Sequence, residues 1–294
     1  MKPERAALAA VAPYLWLLAF FAVPFLLVAK LSLSDSVLAM PPYAPQIDLS
    51  RGADGVRAFL AALDLETYLR LVRDHLYLDA YLSSLRLAAT GTVILLLIGY
   101  PIAYGITRCA PGPRQALLMA VILPFWTSFL IRIYAWIAIL KPQGLLNAAL
   151  GALGLEPVNL LNTEAAVILG LVYAYLPFMV LPLYAVLTRQ DESLIEAAQD
   201  LGASPTRAFW TVTVPLSLPG VAAGALLCFI PMAGEFVIPD LLGGSETLML
   251  GKVIWIEFFA NRDWPAASAV AIVLLVTLLV PIMLLERAPP KVLR

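Results

Sequence analysis

The sequence predicts an all-α integral membrane protein with six transmembrane helices. Of its 294 residues, 62% are hydrophobic and only 13% are charged, whereas soluble domains carry about a quarter charged residues. Six stretches are also long enough to cross a bilayer, which takes about 20 apolar residues in a helix. We therefore expect lipid to be the main solvent of this chain.

The six predicted spans are defined by the lack of charge. Five stretches contain no Asp, Glu, Lys, Arg or His, and the remaining one is interrupted only by Arg132. The first follows Lys2 and Arg5, but its apolar run is too long for a signal peptide, so we expect a retained helix. In chain order the spans are residues 6–29, 87–107, 115–140, 165–188, 208–234 and 264–285.

Six spans place both termini on one side of the membrane, and the Lys and Arg distribution favours the cytoplasm. The predicted inner segments hold nine Lys and Arg residues; the outer segments hold seven, four of them in one long loop where the rule is weaker. We predict a multi-pass membrane protein with a cytoplasmic N-terminus at residues 1–10, a six-helix domain over 11–285 and a cytoplasmic tail at 286–294.

The longest predicted extracytoplasmic loop covers residues 34–82. Its first part is rich in Pro and Gly and is expected to be irregular. From Asp64 onward, apolar residues recur at helical spacing, which predicts an amphipathic helix on the outer surface. Those residues are Leu65, Tyr68, Leu69, Val72 and Leu76. A second outer loop, residues 142–164, is expected to contain a short interfacial helix.

The predicted cytoplasmic loop, residues 189–217, begins with the signals of a short helix. Ser193 followed by Glu196 is typical of a capping box, which predicts a helix through Leu201. Gly202 then stands where a helix closes in the left-handed conformation that a Cβ disfavours. We therefore expect a sharp turn at this glycine.

A second helix is predicted directly after the turn. Ser204 caps it, and Pro205 occupies the first position, where a missing N–H costs nothing. This helix is expected to end near Pro215. Two interpretations of the hairpin remain open, because its apolar residues would pack either on their own bundle or in a groove of another protein. The apolar residues of the first helix are Leu194, Ile195, Ala198 and Leu201.

The loop also resembles the EAA loop of ABC importer permeases. Glu196-Ala197-Ala198 is followed by Gly202 and Pro215 at the family's spacing, with two conservative departures, Val212 for Ile and Val214 for Leu. The resemblance implies a type I importer permease (MetI-like) whose loop inserts into a cytoplasmic ABC ATPase. It further implies a location in the bacterial inner (plasma) membrane, with a second permease subunit and an extracytoplasmic substrate-binding protein as partners.

Four other segments resemble the polyamine permease subunits of this family. The resemblance runs from roughly Asp64 to Pro281 and is most pronounced for permeases that transport putrescine. It implies a polyamine substrate, putrescine or spermidine, although related permeases for other small solutes share the EAA loop. The four segments are residues 123–136, 170–182, 234–244 and 262–269.

Glu235 is the strongest candidate for contact with a cationic substrate, because intramembrane acids are costly and usually functional. Helical rise places Glu235 and Arg132 at similar depth towards the outer side. Glu235 therefore either binds substrate, or neutralises Arg132, or does each in a different state. Asp240 is expected at the outer mouth. Aromatic candidates for the wall of the path are Trp126, Tyr134, Trp136, Tyr173 and Tyr175.

No catalytic or metal-binding constellation is predicted. His75 is the only histidine, and Cys109 and Cys228 lie far apart. Lys252 follows a glycine as in a P-loop, but Val253 replaces the Ser or Thr that binds magnesium. We therefore expect ATP and Mg²⁺ to bind a partner ATPase and no cofactor to bind this chain. A net charge of -1 suggests no nucleic-acid partner.

Two other functional classes fit the sequence less well than an importer subunit does. A secondary cation transporter would need coupling machinery, yet six spans with one buried acid and no inverted repeat offer little. A membrane enzyme would need a cluster of catalytic side chains at one depth, which the sequence lacks.

Overall fold

The computed structural model describes residues 11, 13–46, 50, 52–244 and 247–287. The predicted cytoplasmic segment 1–10 and most of the predicted tail 286–294 lie outside these residues. Within them the chain is almost entirely helical, which confirms the predicted all-α class. The helices are α1 (Pro13–Ser32), α2 (Gly52–Ala61), α3 (Glu66–Arg73), α4 (His75–Thr107), α5 (Pro111–Ile122), α6 (Phe129–Leu140), α7 (Leu145–Ala152), α8 (Glu164–Leu187), α9 (Glu192–Asp200), α10 (Pro205–Ala233), α11 (Val237–Leu242), α12 (Leu250–Trp255) and α13 (Trp264–Arg287).

Most of the predicted spans are single helices. Among the described residues, α1, α4, α8 and α10 are each long and apolar enough to cross a membrane, and so is the stretch Phe129–Ala152, in which a turn joins α6 to α7. α13, apolar over Trp264–Val280, coincides with the sixth predicted span.

The third predicted span, residues 115–140, is not one helix. After α5 the chain forms a 3₁₀ turn at Leu123–Trp126, and α6 starts only at Phe129. Thr127 is extended, with ψ 152°, and its hydroxyl donates to the carbonyl of Pro124 at 2.7 Å. A proline in the turn and this local hydrogen bond explain the break, which hydropathy alone could not predict.

The chain divides into two compact units. One comprises the described residues up to Ala80 together with Val253–Thr277, and the other comprises those of Tyr81–Lys252 and those from Leu278 onward. In the first unit, β1 (Asp35–Ser36) pairs with β2 (Tyr43–Ala44) in an antiparallel ladder.

The predicted amphipathic helix forms, but the side chains it buries are not the apolar ones that the periodicity marked. α3 covers most of the predicted stretch, and it buries Thr67 and Leu71, whereas Leu65, Leu69 and Val72 are exposed. The Thr67 hydroxyl donates to the carbonyl of Ser34 at 3.2 Å, which helps fix this face. The predicted helix is confirmed, and the packing of its exposed apolar residues against a partner stays a prediction. The short helix predicted in the second outer loop is confirmed as α7.

The second unit is built around the close packing of α8 and α10. Gly220 and Gly224 are four residues apart on α10, a small-xxx-small pattern that lets membrane helices approach closely. A Cβ on Gly220 would lie 3.1 Å from the carbonyl oxygen of Pro182, and one on Gly224 would lie 2.8 Å from Sδ of Met179. The two glycines therefore set the distance between these helices.

A larger residue at this contact is expected to separate the pair. Gly224→Val should destabilise the protein by about 1–3 kcal/mol, because a Cβ there would also come within 3.2 Å of the backbone oxygen of Met179. The measurement is the thermal unfolding midpoint of the detergent-solubilised protein. Gly105→Val on α4 is the matched control, since a Cβ there meets nothing within 4 Å. Equal midpoints for the two variants would contradict the packing argument.

Candidate functional site

The hairpin between α8 and α10 begins with an Asp cap. The Asp191 carboxylate accepts the Ser193 N–H at 3.0 Å, and α9 starts at Glu192. The capping box predicted at Ser193 and Glu196 was therefore wrong, because an acceptor two positions earlier is in the extended N-cap conformation. Hydrogen bonding from the Ser193 N–H lowers the pKa of Asp191 below its ordinary value.

The turn of the hairpin is a Schellman motif. Gly202 has φ +88°, its N–H donates to Gln199 at 2.8 Å, and the Ala203 N–H donates to Ala198 at 3.0 Å. This confirms the left-handed closure predicted at Gly202. The Ser204 hydroxyl then accepts the Arg207 N–H at 3.3 Å, and Pro205 is the first helical residue. Both predictions for the second helix start are confirmed.

The second helix does not end near Pro215, as the sequence suggested. It runs through a π-helical segment, Phe209–Thr213, and continues to Ala233 as the fifth span. The Val214 N–H donates to the carbonyl of Phe209, so the wider turn lies directly before the proline that lacks an N–H. The second arm of the hairpin and the fifth membrane span are therefore one continuous helix.

The base of the hairpin is fixed and its tip is exposed. Gln190 Nε2 donates to the carbonyl of Thr213 at 3.0 Å, which ties the two arms together. Glu192 also contacts Arg108 at 3.4 Å. Three large apolar side chains of the hairpin are exposed, namely Leu201 (90%) beside the turn, Leu194 (48%) on α9 and Trp210 (64%) on α10. Of the EAA residues, Glu196 and Ala197 are exposed and Ala198 is half-buried.

At the other end of α10, Glu235 is held by three donors. It follows the end of the helix at Ala233 and precedes α11. One carboxylate oxygen accepts the N–H groups of Phe236 (3.2 Å) and Val237 (3.0 Å), and the other accepts the Tyr175 hydroxyl at 2.7 Å. Glu235 is thus in a helix break and half-buried, whereas a position inside a regular span was predicted.

Arg132 does not pair with Glu235 in this structure. Its guanidinium lies over the rings of Phe125, Phe129 and Tyr173, with centroid distances of 5.4, 5.7 and 6.0 Å. Its Nε is buried and has no hydrogen-bond partner among the described residues. The expected intramembrane ion pair is therefore absent from this part of the chain, and a set of aromatic faces takes its place.

The remaining predicted path residues are in different surroundings. Asp240 pairs with Lys252, 3.2 Å away, a partner that sequence reasoning missed. Trp136 packs edge-on against Tyr173 at 5.4 Å. Trp126 and Tyr134 are mostly exposed in the isolated chain, and their place on the substrate path stays a prediction.

A cavity of about 530 Å³ lies beside Arg132 and Tyr175. Its wall includes Phe178, which meets Phe125 edge-on at 5.1 Å and Tyr175 at 5.9 Å. Sequence reasoning did not single out Phe125, Phe129 or Phe178. Helical spacing offered a signal for Phe178, which lies three residues after Tyr175 on the same helix face.

A metal site is not built by the candidate residues. Within the described ranges, one group of three carboxylates lies within ligand distance, formed by Asp35, Asp64 and Glu66, and all three are exposed. Asp64 also accepts the Glu66 N–H at 2.9 Å as a local turn. Acidic side chains in this arrangement are common without an ion.

Comparison with known proteins matches residues 7–285 to the family described as "Binding-protein-dependent transport system inner membrane component". The chain belongs to this family. It is therefore a multi-pass inner-membrane transport subunit, and the predictions of a permease and of a non-enzymatic role are confirmed.

One relative of this permease is the spermidine/putrescine transport system permease protein PotB of Haemophilus influenzae. The two are 42% identical over 275 residues, which cover 93% of this chain and 90% of the relative. Two solved transporters, each 18% identical to it, share its fold. A bacterial alginate ABC transporter in complex with a periplasmic protein has a TM-score of 0.76, and the match covers 100% of this chain and 96% of the transporter's chain. The MetNI methionine ABC transporter has a TM-score of 0.58, and the match covers 74% of this chain and 96% of the transporter's chain.

The cap of α9 gives a test that separates the observed hairpin from the predicted one. Asp191→Ala should speed hydrogen exchange of the first-turn amides of α9 several-fold, whereas Ser193→Ala should leave them nearly unchanged. Because the pKa of Asp191 is lowered, the cap is present at neutral pH and is lost as the pH falls through that lowered value. Exchange that responds to Ser193→Ala but not to Asp191→Ala would contradict this cap.

Proposed function

We propose that this permease is the membrane subunit of an ATP-driven importer for polyamines, putrescine or spermidine. The observation that carries the proposal is the 42% identity to a spermidine/putrescine permease along nearly the whole length of both chains. Tyr175 and Glu235 add a carboxylate beside aromatic rings, which is the chemistry that an alkyl-ammonium group requires.

Uptake of labelled putrescine tests the substrate class. Cells with this chain and its partner subunits should accumulate putrescine, and excess unlabelled spermidine should compete, whereas an excess of a neutral amino acid should not. Cells without the chain are the control. Equal uptake in both strains, or competition by the amino acid alone, would refute the polyamine assignment.

The hairpin is the proposed docking element for a cytoplasmic ATPase. It exposes Leu194, Leu201 and Trp210, apolar side chains that suit a groove in another protein. Its base is tied by the contact of Gln190 with Thr213, so a force on the tip is passed to the bundle. This placement requires both termini in the cytoplasm, in agreement with the Lys and Arg distribution.

The proposed mechanism is alternating access. Nucleotide binding closes the ATPase pair, the hairpins of two permease subunits move with it, and the central cavity opens outward. A loaded binding protein releases substrate there, and hydrolysis returns the cavity to the inside. Glu235 receives the cation, and Asp240 with Lys252 forms a polar contact near the end of α11. ATP and Mg²⁺ bind the ATPase, and no covalent chemistry occurs on this chain.

Substitution at the turn of the hairpin should uncouple the two subunits. Gly202→Val forces a β-branched residue into φ +88°, at a cost of about 1–2 kcal/mol. We expect normal insertion, at least a tenfold loss of uptake and continued ATP hydrolysis in the reconstituted complex. Gly151→Val is the control, since a Cβ there meets nothing within 4 Å and its φ is not positive. Uptake that stays coupled in Gly202→Val would contradict the docking role.

A further inference from the structure

The guanidinium of Arg132 has an unusual environment for a charge in a membrane helix. Intramembrane charges are normally paired or face water. Arg132 is half-buried, belongs to none of the ion pairs of the described residues, and its buried Nε has no hydrogen-bond partner there. Its guanidinium lies over the three rings of Phe125, Phe129 and Tyr173. Each ring presents its electron-rich face to the cation, so the three together form a box for a positive group.

The box and the Glu235 carboxylate are joined by one aromatic wall. Phe125 meets Phe178 at 5.1 Å, Phe178 meets Tyr175 at 5.9 Å, and the Tyr175 hydroxyl reaches Glu235 at 2.7 Å. The cavity along this wall has a volume of about 530 Å³ and an otherwise apolar lining that includes Leu227 and Pro231. Phe125 and Phe129 of the box line this cavity, and so does Tyr175, whose hydroxyl donates to Glu235.

An alkyl diamine has groups that match this wall, namely two ammonium ends and an apolar linker. A second cation cannot enter the box while Arg132 fills it, because like charges repel strongly at such short range in a medium of low polarity. Arg132 therefore has to leave before an ammonium can bind. Among the described residues Arg132 is in none of the ion pairs, which makes its removal less costly than the breaking of an ion pair.

We propose that Arg132 occupies an ammonium-binding box, formed by Phe125, Phe129 and Tyr173, as long as the site holds no substrate. One ammonium of a diamine replaces the guanidinium in this box while the other binds Glu235, and the linker lies along Phe178. The inference rests on the proposed polyamine substrate and assigns the residues that select a two-headed cation. It also explains why a cation permease carries a fixed positive charge in its cavity.

The test is equilibrium binding of labelled putrescine to the purified complex of this chain with its partner subunits, without the binding protein. Arg132→Gln should bind putrescine about tenfold more tightly, because putrescine no longer has to displace a guanidinium from the rings. One desolvated cation–π contact corresponds to about this factor in affinity. Phe129→Leu should weaken binding. Arg57→Gln removes a positive charge from exposed α2 and should bind as the wild type does.

Butylamine, which has a single ammonium, completes the design. The gain in Arg132→Gln should be larger for putrescine than for butylamine, and Glu235→Gln should abolish that difference. Unchanged or weaker putrescine binding in an assembled Arg132→Gln complex would overturn the proposal. Loss of the second permease subunit from that complex would overturn it too, since Arg132 would then pair with an anion of the partner. A wild-type complex that binds neither putrescine nor spermidine would refute the substrate class itself.

Discussion

The close approach of α8 and α10 at Gly220 and Gly224 is the constraint on which the functional arrangement depends. The absence of side chains at these positions lets Met179 and Pro182 of α8 lie against the backbone of α10. Further along the pair, the thiol of Cys228 contacts the carbonyl of Tyr175 at 3.6 Å. In a bilayer such packing has to come from van der Waals contact, because lipid offers no hydrophobic drive for helix association.

Both functional ends of the permease belong to this pair. The hairpin connects the end of α8 to the start of α10, and Tyr175 of α8 meets Glu235 just beyond the end of α10. α10 has 29 residues, which corresponds to about 43 Å of helix. A displacement of the hairpin is thus carried by one continuous helix to the carboxylate, with no loop between them that could absorb it. The π segment and the prolines give this helix local bends without interrupting it.

The features that sequence reasoning predicted correctly are local ones. The turn at Gly202 and the start at Ser204 and Pro205 follow from residue-level backbone preferences, and most spans follow from hydropathy over about 20 residues. The cap at Asp191 was missed because two acceptors compete within three residues, and only backbone geometry decides between them. The helix end predicted near Pro215 is wrong because the sequence does not reveal the π segment before it.

Contacts between distant residues could not be predicted in this way. Tyr175 and Glu235 are 60 positions apart, and the break before Phe129, which brings Arg132 under its aromatic rings, depends on a 3₁₀ turn. Estimates of depth along straight helices placed Arg132 and Glu235 at one level and suggested an ion pair. That estimate assumed straight helices, whereas the chain has a break before Phe129 and another after Ala233.

The distance between the two ends of α10 tests the rigid coupling along this helix most directly. Spin labels at Thr206, in the first turn of α10, and at Leu227, towards its far end, in a chain whose two cysteines are replaced, would report it by pulsed electron paramagnetic resonance in the assembled transporter. We expect this distance to change by no more than about 2 Å between the nucleotide-free and ATP-bound states, because α10 moves as one body. A change of about 5 Å or more, the length of a helical turn, would show that the hairpin moves independently and would contradict the account.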